Sequence, residues 1–111
     1  MRKELGKIEK IRFGIGGYQD AMIGLHITLA GEGWGVCSTD SAWDANIIKH
    51  TEHCKWTEED RSGQYADIVR KISDLLKAAK VDSLEKLQGK PIEATFDGMT
   101  LSSWRILTEV L

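Results

Sequence analysis

With 111 residues, the chain is long enough for one domain and too short for two independent hydrophobic cores. Its 15 Lys and Arg residues against 17 Asp and Glu residues give a net charge of −2, so it lacks the broad basic field of proteins that bind long nucleic acid non-specifically. No stretch reaches the ~20 apolar residues of a transmembrane helix, and two cysteines are too few for a disulfide scaffold. We therefore expect one cytosolic domain with reduced thiols.

The first third of the chain predicts a three-stranded antiparallel meander. Apolar and polar residues alternate in 7–14 and, most clearly, in 21–29, which is the pattern of half-buried strands. A glycine-bearing loop then leads into a third strand at 34–38. The polar segment around Trp43 predicts a loop, and 46–50 predict a short edge strand.

A long amphipathic helix is predicted to start after Thr57. This residue has the position of an N-cap, and Asp60 three residues later takes the place of the Glu in a capping box. Apolar residues then recur at spacings of three and four through about residue 80, so one face of the helix is expected to pack on the sheet. A second, short helix is predicted within 81–91, where Pro91 prevents its continuation.

The C-terminal segment predicts a β-hairpin. Residues 91–96 alternate in polarity, and Asp97-Gly98 is a strong signal for a two-residue turn. The returning strand is expected to carry four residues on one face: Trp104, Ile106, Thr108 and Val110. Because strands, a helical region and strands follow one another without a repeating βαβ pattern, the predicted fold class is α+β. An antiparallel sheet, made of the N-terminal meander and the C-terminal hairpin, is expected to pack against one long and one short helix.

Four residues have the side chains of a zinc site: Cys37, His50, His53 and Cys54. Thiolate and imidazole are the ligands that zinc prefers. However, the adjacent His53 and Cys54 would strain their loop if both bound one ion, and the chain has no C-x-x-C pair. We therefore favour no metal site, with Cys37 buried and the 50–54 loop in solvent.

The glycine-rich segment 14–20 resembles a phosphate-binding loop, because glycines let backbone N–H groups approach an anion. It matches neither the P-loop pattern nor the dinucleotide-binding pattern, so a plain strand connection is favoured. Tyr18 and Asp20 within it are candidates for a stacking ring and for an acceptor of ribose hydroxyl groups. The chain also lacks the common motifs of hydrolases and metalloproteases, so we expect no enzyme activity.

Four tryptophans are many for one small core, which points to a binding or interface role for at least one of them. Trp43, in its predicted loop, is the best candidate for an exposed stacking residue. Arg105 is expected on the strand face opposite to Trp104. Two roles for Arg105 are open: binding a phosphate or pairing with Glu93 across the hairpin.

Three parts of the sequence resemble a family of small phage and prophage proteins that are largely of unknown function: GYQDAMIGL with GWGV, KWTEEDR, and FDGMTLSSWRILTEVL. This resemblance implies a viral accessory role in the cytoplasm of a host bacterium. The layout of sheet, helices and C-terminal strands is also similar to the Thoeris anti-defence proteins, which sequester a cyclic ADP-ribose immune signal. Those proteins bind nucleotide signals between subunits with stacking aromatic residues and an arginine near the C-terminus. The likeness implies these roles for Phe96 and Arg105.

The expected function is therefore that of a non-catalytic anti-defence protein, a homo-oligomer that sequesters a cyclic nucleotide or cyclic ADP-ribose signal. No cofactor, membrane or long nucleic acid is expected as a partner. The expected ligand-binding residues are Arg105, Phe96, Trp43, Tyr18 and Asp20. Two alternatives stay open: an inhibitor that binds a bacterial defence enzyme through acidic residues, as anti-CRISPR proteins do, and a phage accessory protein with another role.

Overall fold

The computed structural model describes residues 1–16, 22–43 and 57–111. Within these ranges the chain forms five strands, one α-helix and two short 3-10 helices. The elements are β1 (Arg2–Gly16), β2 (Met22–Gly31), β3 (Trp34–Trp43), α1 (Glu58–Ala79), a 3-10 helix (Leu84–Leu87), β4 (Pro91–Asp97), β5 (Thr100–Ile106) and a second 3-10 helix (Thr108–Val110). The strands form one antiparallel sheet in the order β3-β2-β1-β4-β5, so the α+β class is confirmed, with meander and hairpin in the same sheet.

β1 is the central strand and connects the meander to the hairpin. Its second half pairs with β2, while its first half pairs with β4 from Arg2 opposite Phe96 to Lys7 opposite Pro91. The strand predicted at 7–14 was too short, because the pairing with β4 joins segments that lie far apart in the sequence. It follows that the local alternation of polarity marked only part of the strand.

The strand register places the apolar side chains on one face of the sheet, which we call the helix face. Ile8 of β1, Leu29 of β2 and Ile92 of β4 are fully buried there. They share one hydrophobic core with three residues of α1: Ile68, Leu75 and Ala79. The opposite face, which we call the open face, carries mainly polar and charged side chains, most of them exposed.

α1 begins as the sequence predicts. The Thr57 hydroxyl oxygen accepts a hydrogen bond from the Asp60 N–H at 3.0 Å, and the Asp60 carboxylate accepts one from the Thr57 N–H at 3.0 Å. This reciprocal pair satisfies two backbone donors that the first helical turn leaves free. The helix ends at Lys80, which has a left-handed backbone conformation with φ of 57°. Of the helices in the described ranges, none combines the length and the apolarity needed to cross a membrane.

Two predicted boundaries are wrong. Trp43 does not lie in a loop, because β3 continues to this residue, where it pairs with Met22 of β2. β5 does not reach Val110 but ends at Ile106, since β4 begins at Pro91 and offers no partner further on. The chain then turns into the second 3-10 helix.

The remaining predictions for the connections differ in detail from the structure. The hairpin turn between β4 and β5 consists of Gly98 and Met99, one residue later than predicted, and Gly98 has the positive φ of 64° that such a turn requires. In place of the predicted short helix, the segment after α1 holds the four-residue 3-10 helix Leu84–Leu87. The edge strand predicted at 46–50 lies outside the described residues.

The sheet is strongly curled, so its two edge strands approach each other on the helix-face side. In a flat sheet β3 and β5 would lie about 19 Å apart, at four strand spacings. Instead, the Trp104 indole N–H of β5 donates a hydrogen bond to the Ser38 hydroxyl of β3 at 3.1 Å. Register irregularities at Ile8/Lys10 and Thr95/Phe96 accompany this curvature, as expected of β-bulges. The converging edges leave a cleft between them.

Candidate functional site

The cleft between the two sheet edges, which we call the edge cleft, has a volume of about 720 Å³. This volume lies within the range of about 300–1,000 Å³ that is typical of small-molecule sites. Three elements line it: Val36, Cys37, Ser38 and Asp40 come from β3, Thr100, Leu101, Ser102, Ser103 and Trp104 from β5, and Lys71 from α1. The edge cleft is therefore large enough for a nucleotide-sized ligand.

An aromatic ring and a cation lie side by side in the edge cleft. The Trp104 indole is held by its hydrogen bond to Ser38, and the Lys71 ammonium nitrogen lies 5.0 Å from the centre of the indole ring. Lys71 reaches this position because it follows Ile68 by three residues, which keeps it next to the buried stripe of α1. Both side chains are half-buried. The pair is a cation–π contact whose two partners can also face a ligand.

A carboxylate and several hydroxyl groups complete the lining. Asp40 pairs in register with Leu25, so its carboxylate lies on the helix face, at the edge of the sheet. It is half-buried and forms no ion pair within the described ranges. The Ser38 hydroxyl accepts the hydrogen bond of the Trp104 indole, and Ser102 and Ser103 of β5 are further residues of the lining.

These groups match the parts of a nucleotide. An indole offers a stacking surface for a base, an ammonium group attracts a phosphate, and a carboxylate accepts hydrogen bonds from ribose hydroxyls. Serine and threonine hydroxyls donate to phosphate oxygens. The edge cleft thus combines groups suited to the base, the phosphate and the ribose of a nucleotide within one site.

Arg105 lies outside the edge cleft, on the open face. Its Nε donates to Glu93 at 3.2 Å, and its two terminal nitrogens donate to both carboxylate oxygens of Glu109 at 2.9 Å each. The hydrogen bonds from Arg105 lower the pKa of Glu109 to about 2, and those to Glu109 and Glu93 raise the pKa of Arg105 further above its ordinary value. Of the two roles left open for Arg105, pairing with Glu93 is the one that the structure shows.

Phe96 and Trp43 are placed differently from the expectations for stacking residues. Phe96 is 2% exposed and belongs to the core, where the edge of Trp34 packs against its ring at a centroid distance of 5.3 Å. A base therefore finds no free ring face at Phe96. Trp43 is half-buried at the end of β3, and its carbonyl oxygen accepts a hydrogen bond from the Tyr65 hydroxyl at 3.1 Å.

Tyr18 and Asp20 lie outside the described residues, as do His50, His53 and Cys54 of the potential zinc site. Within the described ranges, no group of three His, Cys, Asp or Glu residues is arranged to hold a metal ion. The expectation that Cys37 is buried was wrong: its side chain is exposed on the open face, where its sulfur lies 3.6 Å from the Thr39 hydroxyl.

Sequence reasoning missed the residues that line the edge cleft. The signals were weak: Lys71 follows the apolar stripe of α1 at helical spacing, and Asp40 interrupts the alternation of β3 on its apolar face. Trp104 was predicted only as part of one face of the returning strand, and it packs partly against the core. None of these signals shows that β3 and β5 meet, because that contact depends on the curvature of the whole sheet.

Comparisons with known proteins give no identity for the chain: no protein-family model, curated protein or solved structure matches it. The resemblance to phage proteins and to signal-sequestering anti-defence proteins therefore stays a prediction. Functional conclusions depend on the residues of the site itself.

Proposed function

We propose that the protein is a non-catalytic, viral anti-defence protein that binds and sequesters a nucleotide-derived immune signal, a cyclic nucleotide or a cyclic ADP-ribose. The observation that carries the proposal is the edge cleft, in which Trp104, Lys71 and Asp40 supply one group each for base, phosphate and ribose. The proposed ligand-binding site is therefore the edge cleft and does not include Phe96 or Arg105. Phe96 is buried in the core, and the guanidinium of Arg105 is held by two carboxylates.

Lys71 is available to a phosphate at small cost. Its only partner in the described structure is the Trp104 ring, and a half-buried cation–π contact contributes about 1–2 kcal/mol, less than a charge-assisted bond to a phosphate offers. A phosphate offers a full negative charge instead of a ring quadrupole. We therefore expect the ammonium group to turn towards a bound phosphate while the indole face that it leaves becomes free for stacking.

Thermal unfolding with a panel of nucleotides tests the proposal. The probes are cyclic ADP-ribose, ADP-ribose, cyclic dinucleotides, cyclic mononucleotides and ATP. A ligand present at 100 times its Kd stabilises the folded state by about 2.7 kcal/mol, which corresponds to a rise in Tm of roughly 10 °C for a domain of this size. Mass spectrometry of the released ligand should show it unchanged, as sequestration requires.

Lys71→Gln should reduce the rise in Tm without lowering the Tm of the free protein by more than a few degrees. Lys77→Gln is the matched control, because it removes the same charge from an exposed site about 1.7 turns further along α1. The absence of a Tm shift with every probe at millimolar concentration contradicts the proposal. Chemical conversion of the bound ligand contradicts its non-catalytic part.

One observation favours the alternative of a protein-binding inhibitor of a defence enzyme. Glu58, Glu59 and Asp60 form an exposed acidic turn at the start of α1, which suits a basic partner. A salt-sensitive complex between the purified protein and a basic defence enzyme, together with no response to nucleotides, would favour this alternative.

We also expect a homo-oligomer, and light scattering after gel filtration measures its mass.

A further inference from the structure

The open face carries a row of cations along the central strand of the sheet. In the strand register, Lys3 lies opposite Thr95, Lys7 opposite Ala30 and Lys10 opposite Thr28, and Arg12 completes the row. All four cations are exposed. Nine residue steps separate the first from the last, which corresponds to about 30 Å of extended strand.

These charges are not neutralised within the described parts of the chain. Lys3, Lys7 and Lys10 form no ion pair there, and Arg12 donates a hydrogen bond to the Ile15 carbonyl oxygen. Three carboxylates lie near the row. Glu4 pairs with Arg2, and Glu93, opposite Leu5 on the open face, pairs with Arg105. Glu9, in the bulge between Ile8 and Lys10, lines a shallow hollow together with Lys7. The row is therefore a surface of net positive charge on a chain of net negative charge.

We propose that this row binds single-stranded nucleic acid through its phosphates. A line of exposed, unpaired cations is complementary to a phosphate backbone, and binding releases the counterions condensed on it. Four cations suit a short segment, so the inference concerns oligonucleotides and single-stranded stretches. It is independent of the ligand proposed for the edge cleft.

The shape of the open face favours a single strand over a duplex. The row is a single line of cations along one strand, whereas the phosphates of a duplex follow two helical backbones around a stiff axis and meet such a line at few points. A flexible single strand can instead follow the row with successive phosphates. No aromatic side chain lies in the row, so binding takes place without base preference and depends strongly on salt.

Fluorescence anisotropy of a labelled 15-nucleotide oligo(dT) tests this inference between 20 and 300 mM KCl. Four phosphate contacts predict a slope of about −2.8 for log K against log salt concentration. The double variant Lys7→Gln, Lys10→Gln should weaken binding and change the slope to about −1.4. The variant Glu9→Gln should bind more tightly, because it removes a carboxylate beside the row.

Arg70→Gln, Lys77→Gln is the matched control, since it removes two positive charges from exposed positions of α1. It should retain the affinity and slope of the natural sequence. No anisotropy change at 20 mM KCl would overturn the inference, as would equal weakening by both double variants. Tighter binding of a 15-base-pair duplex, or binding of phosphatidylserine vesicles in place of the oligonucleotide, would also contradict it. Circular dichroism of each variant verifies that it is folded.

Discussion

Arg105 shows how the partners of one side chain determine what it can bind. Its guanidinium makes a two-pronged contact with Glu109 and a further hydrogen bond to Glu93, so most of its donors are in use. A phosphate that binds at this position has to displace carboxylates that already match the guanidinium geometry. The half-buried Lys71 and the exposed β1 cations have no such competitors within the described residues, which makes them better anion ligands.

The pair of Arg105 and Glu109 predicts a pH-dependent contribution to stability. The pKa of Glu109 is lowered from an ordinary value of 4.5 to about 2, so its contribution is fully present above about pH 4.5 and is lost as the pH falls towards 2. Urea unfolding of the natural protein and of Glu109→Gln should therefore differ at pH 6 and converge at about pH 2. The effect is small because the pair is exposed.

Glu85→Gln is the matched control for this measurement, because Glu85 is exposed and forms no ion pair within the described ranges. Its unfolding free energy should follow that of the natural protein across the same pH range. If the difference between Glu109→Gln and the natural protein stayed constant from pH 6 to pH 2, the assigned ion pair would be refuted.

At the scale of elements, the start of α1 depends on its capping box. Thr57→Ala removes the hydroxyl that accepts the Asp60 N–H, so the variant should lose about 1 kcal/mol of unfolding free energy. This loss corresponds to a decrease in Tm of about 4 °C. Ser62→Ala is a control at an exposed helical position and should change the free energy by less than about 0.5 kcal/mol. Equal losses in both variants would contradict the capping role.

The elements that were predicted correctly are those whose signals are local. The capping box at Thr57 lies within four residues, and the apolar alternation of β2 lies within one strand. The boundaries that were wrong depend on a distant partner strand. β3 extends to Trp43 because β2 provides Met22, and β5 stops because β4 starts at Pro91. The sequence of a strand contains little information about which other strand it pairs with.

At the scale of the whole molecule, the curvature of the sheet creates the candidate site. The edge cleft exists because β3 and β5 converge, and Lys71 enters it from a helix that crosses the same side. Sequence patterns assign each of these residues to an element but contain no measure of curvature. This explains why the aromatic ring and the cation of the edge cleft, Trp104 and Lys71, were not among the ligand-binding residues that the sequence suggested.

The net charge of −2 does not show how positive and negative charges are distributed over the molecule. The cations of β1 lie on the open face, whereas three acidic residues lie together in the first turn of α1. The expectation that nucleic acid is excluded rests on the total charge of the chain. Local fields act over about one Debye length, roughly 10 Å, so a short anion responds to the row and not to the total.

The most direct test of the edge cleft as a nucleotide site is a ¹⁵N-correlation NMR titration with cyclic ADP-ribose and the other nucleotides of the panel. We expect the largest chemical-shift changes for the indole N–H signal of Trp104 and for the backbone amide signals of Ser38 and Ser103. The amide signals around Arg105 should change least. The control Lys77→Gln should reproduce these shifts, and Lys71→Gln should weaken them. An unchanged Trp104 indole signal with every nucleotide at millimolar concentration, or shifts confined to other surfaces, would contradict the account.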